Sequence, residues 1–130
     1  MKFVDNSNTV QNILEDNNND LTKYLIKKSK EKTELLHDNP VMVETGPEEI
    51  SLKDVRKDIF DNYMESNASY SVITYLLGIG DRHLENLLIT DDGKLFHIDF
   101  GYTMNEDPKL YPPPVKLNKQ MINVFAGKYR

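Results

Sequence analysis

The chain has 130 residues, 28% of them charged and 38% hydrophobic, with a net charge of −5 and no cysteine. That length holds one modest core, and the acidic balance argues against a general nucleic-acid binder, which wants a basic face. No apolar run approaches the roughly 18 residues that cross a bilayer and no signal peptide opens the chain. Without thiols, which fits a cytoplasmic setting, any metal must be held by oxygen or imidazole.

Residues 1 to 50 are polar and uneven, with short apolar clusters at Phe3-Val4, Ile13-Leu14 and Leu25-Ile26. The runs "EDNNND" (15–20) and "KKSKEKTE" (27–34) have no spacing of a chemical site and read as solvated loop or insertion sequence. The stretch "LHDNPVMVETGPEE" (36–49), with Pro40 and Gly46-Pro47, reads as a connection. From Ser51 the pattern turns helical. Ser51 and Asp54 resemble a capping box, and Leu52, Val55, Ile59 and Tyr63 recur on one face. Small and polar residues at 66–69 predict a bend or interruption. "YSVITYLLGIG" (70–80) is apolar nearly all round and predicts a buried helix ended by Gly78 and Gly80.

Next come "NLLIT" and "KLFHID", separated by Asp91-Asp92-Gly93, which predicts a β-hairpin. Such a hairpin brings Asn86, before its first strand, near Asp99, after its second. Two oxygen-bearing side chains at one end of a rigid strand pair suit a hard cation such as Mg²⁺.

The spacing around this hairpin points to chemistry. Protein kinases carry H-R-D-x-x-x-x-N followed by D-F-G, with the first Asp near the nucleophilic hydroxyl and the Asn and second Asp on magnesium. Here Asp81 and Asn86 keep that interval, Asp99-Phe100-Gly101 follows the hairpin, and the histidine has moved to position 83. Asp-Phe-Gly alone would mean little; the ordered set is specific.

"GIGDRHLENLLI" (78–89) and "LFHIDFG" (95–101) resemble the catalytic core of the phosphatidylinositol 3-/4-kinases and their protein-kinase relatives, which read Asp-Arg-His. "DPKLYPPPVKL" (107–117) resembles most closely the activation loop of the class III phosphatidylinositol 3-kinases of vacuolar sorting and autophagy. The resemblance is dense from Ser51 to Met121 and looser over residues 2–26; residues 27–50 look like an insertion. It implies an α+β, kinase-like fold, namely a mostly helical C-lobe with a catalytic hairpin. The catalytic loop would be 78–86 and the activation loop 99–117.

Carried over by position, the resemblance assigns Asp81 and His83 to orienting or deprotonating the inositol hydroxyl. An imidazole can take a proton near neutral pH, a carboxylate acts chiefly by positioning, and the residues leave open which is the base. Arg82 would tie the loop to its surroundings or steady phosphate charge. Asn86 and Asp99 would hold Mg²⁺ or Mn²⁺, with ATP as co-substrate. Leu88 and Ile98 would floor the adenine, with plain core packing as their alternative. His97 reads as a satisfied packing histidine and Glu85 as a solvated loop residue.

Lys109 and Lys116, offset by Glu106 and Asp107, make the activation loop formally neutral between Tyr102 and Lys116. That fits phosphatidylinositol rather than its polyphosphates, although Asn105-Glu106 stands where the family has Gly-Arg. Pro112-Pro113-Pro114 predicts an extended loop end. None of the six glycines builds a phosphate-covering loop, and no strand offers a phosphate-pairing lysine, so the N-lobe is expected upstream of Met1. A full enzyme would be cytoplasmic and peripheral on endosomal or autophagic membranes, with a pseudokinase-like regulatory subunit and a Beclin-type partner. The competing readings are a non-catalytic C-lobe remnant and an atypical protein kinase of the same core.

Overall fold

Thr9 starts the first helix: it is extended, and its Oγ1 accepts the Asn12 N–H at 3.2 Å. The computed structural model describes residues 4–36, 52–104, 106–111 and 113–126. Helix α1 (Val10–Asp16) ends in Asn17, and Asn18 and Asn19 turn the chain through left-handed backbone (φ 55° and 64°) that asparagine tolerates. Asp20 Oδ1 then accepts the Thr22 N–H, and α2 (Leu21–Leu36) begins.

The lysine-rich stretch expected as loop is helix through Leu36; residues 37–51 lie outside the described residues. Its cohesion comes from tertiary partners that the local pattern does not display. Leu21, Tyr24, Leu25 and Ser29 form one buried stripe, and the Ser29 hydroxyl donates to Leu25 O and accepts the Arg56 N–H. Lys28 pairs with Asp91, and Lys32 with Asp58.

The expected capping box has Ser51 outside the described residues; Leu52–Asp54 form a 3-10 turn, and α3 begins only at Lys57. The predicted break at 66–69 is absent, because α3 runs unbroken from Lys57 to Leu76. Its polar side chains bond back to carbonyls four residues earlier: Ser66 to Asn62, Asn67 to Tyr63, Ser71 to Asn67 and Thr74 to Tyr70. The expected burial of its apolar end is also corrected. Tyr70, Thr74 and Ile79 are buried, yet Leu76 is 71% exposed, and Val72, Ile73, Tyr75 and Leu77 are exposed too. The helix packs along residues 95–97 and, nearer its start, against α2, while the outward face of its apolar end is exposed.

Helix α3 closes in a Schellman motif: the Gly78 N–H donates to Tyr75 O and the Ile79 N–H to Thr74 O, with Gly78 at φ 55°. Strands β2 (Leu87–Thr90) and β3 (Leu95–His97) form the predicted hairpin, pairing Leu87 with His97 and Ile89 with Leu95. An unpredicted strand β1 (Ser7–Thr9) adds antiparallel to the other edge of β2, pairing Asn8 with Ile89. "SNT" carries no apolar alternation, so nothing in its own residues announces it.

The core gathers Val10, Ile13, Leu25, Ile59, Tyr63, Leu87 and Ile89, closed by Met121 and Val124 of α4 (Lys119–Ala126). The architecture is α+β, with helices packed against a three-stranded antiparallel sheet. Among the described residues no helix is long and apolar enough to cross a membrane.

Candidate active site around Asp81, Asn86 and Asp99

The end of α3 at Leu76 and the start of β2 at Leu87 bracket the loop 77–86, whose backbone is fixed from three sides. Asn86 N–H donates to His83 O at 3.0 Å, Ile98 N–H donates to Asn86 O at 2.9 Å, and the α1 Gln11 N–H reaches Leu84 O at 3.3 Å. The Ile98–Asn86 bond joins the loop directly to the segment leading into Asp99. Asp81 and Asp99 both sit in left-handed backbone, at φ 51° and 63°. Aspartate enters that region at modest cost, and such strain persists only where the surroundings impose it.

The Asn86 side chain, 9% exposed, donates its amide to Asp81 O at 3.0 Å and approaches Asp81 Oδ2 at 3.4 Å. Its carbonyl oxygen is thereby turned away from Asp81. Asp99 Oδ1 accepts the Gly101 N–H at 3.3 Å, and Oδ2 has no hydrogen bond among the described residues. An amide carbonyl and a carboxylate oxygen are the hard donors a magnesium-type cation takes, alongside water and phosphate oxygens. The donor chemistry fits. The described residues hold no group of three or more His, Asp or Glu that would enclose a metal by themselves.

His83 stands between two acids, with Nε2 3.7 Å from Asp81 Oδ1 and Nδ1 3.8 Å from Glu85 Oε2. Arg82 is 5% exposed and donates through Nη1 to Pro114 O at 3.2 Å and through Nη2 to Pro113 O. It thus fastens the loop to a distant segment. Leu88 and Ile98 are both half-buried; Leu88 lies on the sheet face opposite the core, cross-strand from Phe96.

Lys109 is exposed and Lys116 half-buried. Burial, reinforced by the charges of Lys109 and Arg82 and opposed by those of Asp107 and Asp81, lowers the Lys116 pKa.

His97 is buried, as a packing residue should be, but neither ring nitrogen makes a short, well-aligned hydrogen bond among the described residues. Its ring lies 6.3 Å from that of Tyr70 and 5.3 Å from that of Phe100. Burial lowers its pKa, against the backbone of Asp81 and the charges of Asp81 and Asp99. Both carboxylates therefore bear on one buried imidazole. Tyr70, whose hydroxyl burial pushes up to about 12, had no signal in the sequence beyond helical periodicity.

A model of the family "Phosphatidylinositol 3- and 4-kinase" matches residues 1–129. The chain is similar to the phosphatidylinositol 3-kinase VPS34 of Arabidopsis thaliana, 52% identical over 81 residues, which is 62% of this chain and 10% of that protein. It is also similar to the phosphatidylinositol 3-kinase pik3 of Schizosaccharomyces pombe, 61% identical over 67 residues, or 52% of this chain and 8% of that protein. A third similarity is to the phosphatidylinositol 3-kinase catalytic subunit type 3 of Caenorhabditis elegans, 53% identical over 73 residues, covering 56% of this chain and 8% of that protein. The chain thus spans about a tenth or less of the length of the curated relatives it matches. With the family matched over all but the last residue, the chain belongs to the phosphatidylinositol 3- and 4-kinases.

Proposed function

We propose that this chain is the catalytic-loop and activation-loop part of a class III-like phosphatidylinositol 3-kinase. The longer polypeptide carrying it would move the ATP γ-phosphoryl group to the inositol 3-hydroxyl of phosphatidylinositol. The observation that carries the reading is the bond from Ile98 N–H to Asn86 O, with the Asn86 amide on Asp81 O. Those bonds hold Asp81, Asn86 and the approach to Asp99 as one unit, and phosphoryl transfer depends mainly on such positioning.

In this reading Asp81 and His83 face the hydroxyl, and Arg82 braces the loop. Asn86 and Asp99 hold Mg²⁺ or Mn²⁺, which when bound neutralises charge on the transferring phosphate. Leu88 and Ile98 line the nucleotide, and Lys109 and Lys116 meet the headgroup phosphodiester. Residues 27–50 are an insertion whose first part extends α2. The rest of the nucleotide site belongs to other parts of the kinase fold, so the chain alone should bind Mg-ATP weakly and phosphorylate no lipid. The longer enzyme would work on endosomal or autophagic membranes with regulatory subunits.

The test is lipid kinase activity of the longer polypeptide on vesicles of phosphatidylinositol and, separately, its 4,5-bisphosphate. Phosphatidylinositol should be phosphorylated and the bisphosphate largely ignored. Asp99→Asn should abolish turnover, because an amide cannot neutralise the cation, and Lys109→Ala should lower it. Near-normal rates for Asp99→Asn across a magnesium titration would sink the assignment. Equal rates on both lipids would leave only the broader family.

A further inference from the structure

We propose that Asp107 is a positioning residue: its carboxylate pins the activation segment onto the catalytic loop, over a seat that only glycine at position 80 leaves open. The inference rests on the reading of Asp81 and of the activation loop given above. Asp107 Oδ2 accepts the Asp81 N–H at 3.3 Å, and Oδ1 accepts the Lys109 N–H at 2.8 Å. One side chain thus grips the amide of the left-handed Asp81 and the amide of a lysine that faces the headgroup.

Backbone bonds continue the seam: Gly80 N–H donates to Tyr102 O and Met104 N–H to Leu77 O, each at 2.9 Å. A Cβ at Gly80 would press into the Glu106 carbonyl oxygen and come within 3.0 Å of Asp107 Cα. Both are backbone atoms that can yield only by lifting the segment. The Arg82 bonds to Pro113 and Pro114 close the far end. Asp107 therefore directs its charge into the seam rather than at an incoming headgroup, leaving Glu106 as the exposed acid.

Two carboxylate oxygens serve two N–H donors, and this makes the variants separable. Asp107→Ala removes both acceptors, Asp107→Asn keeps one oxygen, and Gly80→Ala keeps both acceptors while its Cβ presses on Glu106 O and on Asp107 Cα and Oδ2. Amide hydrogen exchange in the full 130-residue chain reads the seam directly. A charge-assisted bond lost should speed exchange about tenfold or more.

Asp107→Ala should do so at both Asp81 and Lys109, and Asp107→Asn at Asp81 only, with Oδ1 still accepting the Lys109 N–H. Gly80→Ala should speed Gly80, Asp81 and Met104 together. In the longer polypeptide, Asp107→Ala should raise the KM for phosphatidylinositol more than about threefold (well under the tenfold of a lost bond) and leave the KM for ATP unchanged. Unaltered exchange at Asp81 in Asp107→Ala, or ATP and lipid KM rising together, would overturn the proposal. Faster exchange as described, in a longer polypeptide that phosphorylates no inositol lipid even unaltered, would uphold the clasp and refute the kinase reading instead.

Discussion

Asn86 divides its peptide and side-chain groups among three partners, giving its N–H to His83 O, its carbonyl to Ile98 and its side-chain amide to Asp81 O. The carbonyl of Asp81 is the one that suffers if the side chain is removed, since Asp81 already sits in strained left-handed backbone. Leaving such a group unpaired costs about 1–3 kcal/mol. Asn86→Ala should therefore lower the unfolding free energy of the chain by that amount in urea denaturation, apart from any effect on turnover. Asn86→Asp should be no milder, because it sets acceptors against Asp81 O. An unchanged midpoint for Asn86→Ala would show that the amide contributes nothing structural. The position of Asn86 five residues after Asp81 was readable from the chain. Its donor role was not, because which end of an amide faces which neighbour depends on how the loop folds back.

The hairpin is an element whose turn is built for its neighbour as much as for itself. Gly93 has φ 89°, and a Cβ there would lie 2.5 Å from Ile59 O of α3. Asn62 Nδ2 donates to Asp92 O at 2.8 Å, and the Leu95 N–H donates to Ser66 Oγ at 2.9 Å. Gly93→Ala combines backbone strain with a clash against backbone and should destabilise by more than about 1 kcal/mol; a melt unchanged from the parent would contradict the geometry.

Two carboxylates make the same region acid-sensitive. For Asp92, burial acts to raise the pKa, but hydrogen bonds from Thr90 and Lys94 outweigh it and the pKa is lowered. Arg56 and then Lys32 hold the Asp58 carboxyl well below the usual carboxylate range. Groups depressed in the folded state add stability above their unfolded value near 3.8 and lose it as the pH falls below that value. Both are substantially exposed, so each effect is small. Asp58→Asn with Asp92→Asn should flatten the loss of thermal stability from about pH 4 to pH 2; an unchanged slope would remove these pairs from the account.

At the scale of the molecule, the feature that stands apart is the far end of α3. Val72, Ile73, Tyr75, Leu76 and Leu77 are exposed together, a contiguous apolar surface of the kind that self-associates in water. Light scattering should show concentration-dependent association of the isolated chain, and Leu76→Lys should reduce it while leaving unfolding free energy within about 0.5 kcal/mol, as for other surface changes. Monodisperse behaviour of the parent chain at high concentration would refute this.

What the sequence by itself determined is the local chemistry. The Asp81–Asn86 interval, the turn at Gly93, the helical face through Ile59 and Tyr63 and the glycine stop at Gly78 are set by residues within a few positions of one another. Propensity and spacing express such things directly. Tertiary structure decided whatever depends on a distant partner. "SNT" is a strand because β2 presents a free edge to it. The lysine-rich run is helix because Ser29 and Lys32 find Arg56 and Asp58. Helix α3 continues through 66–69 because its polar side chains return to its own carbonyls. Its apolar end is exposed because burial needs a surface to lie against, and hydrophobicity names the need without supplying the partner. Asp107 follows the same logic. In the sequence it is one negative charge in a neutral loop; in the fold its charge faces two backbone amides, because the loop passes directly over Gly80.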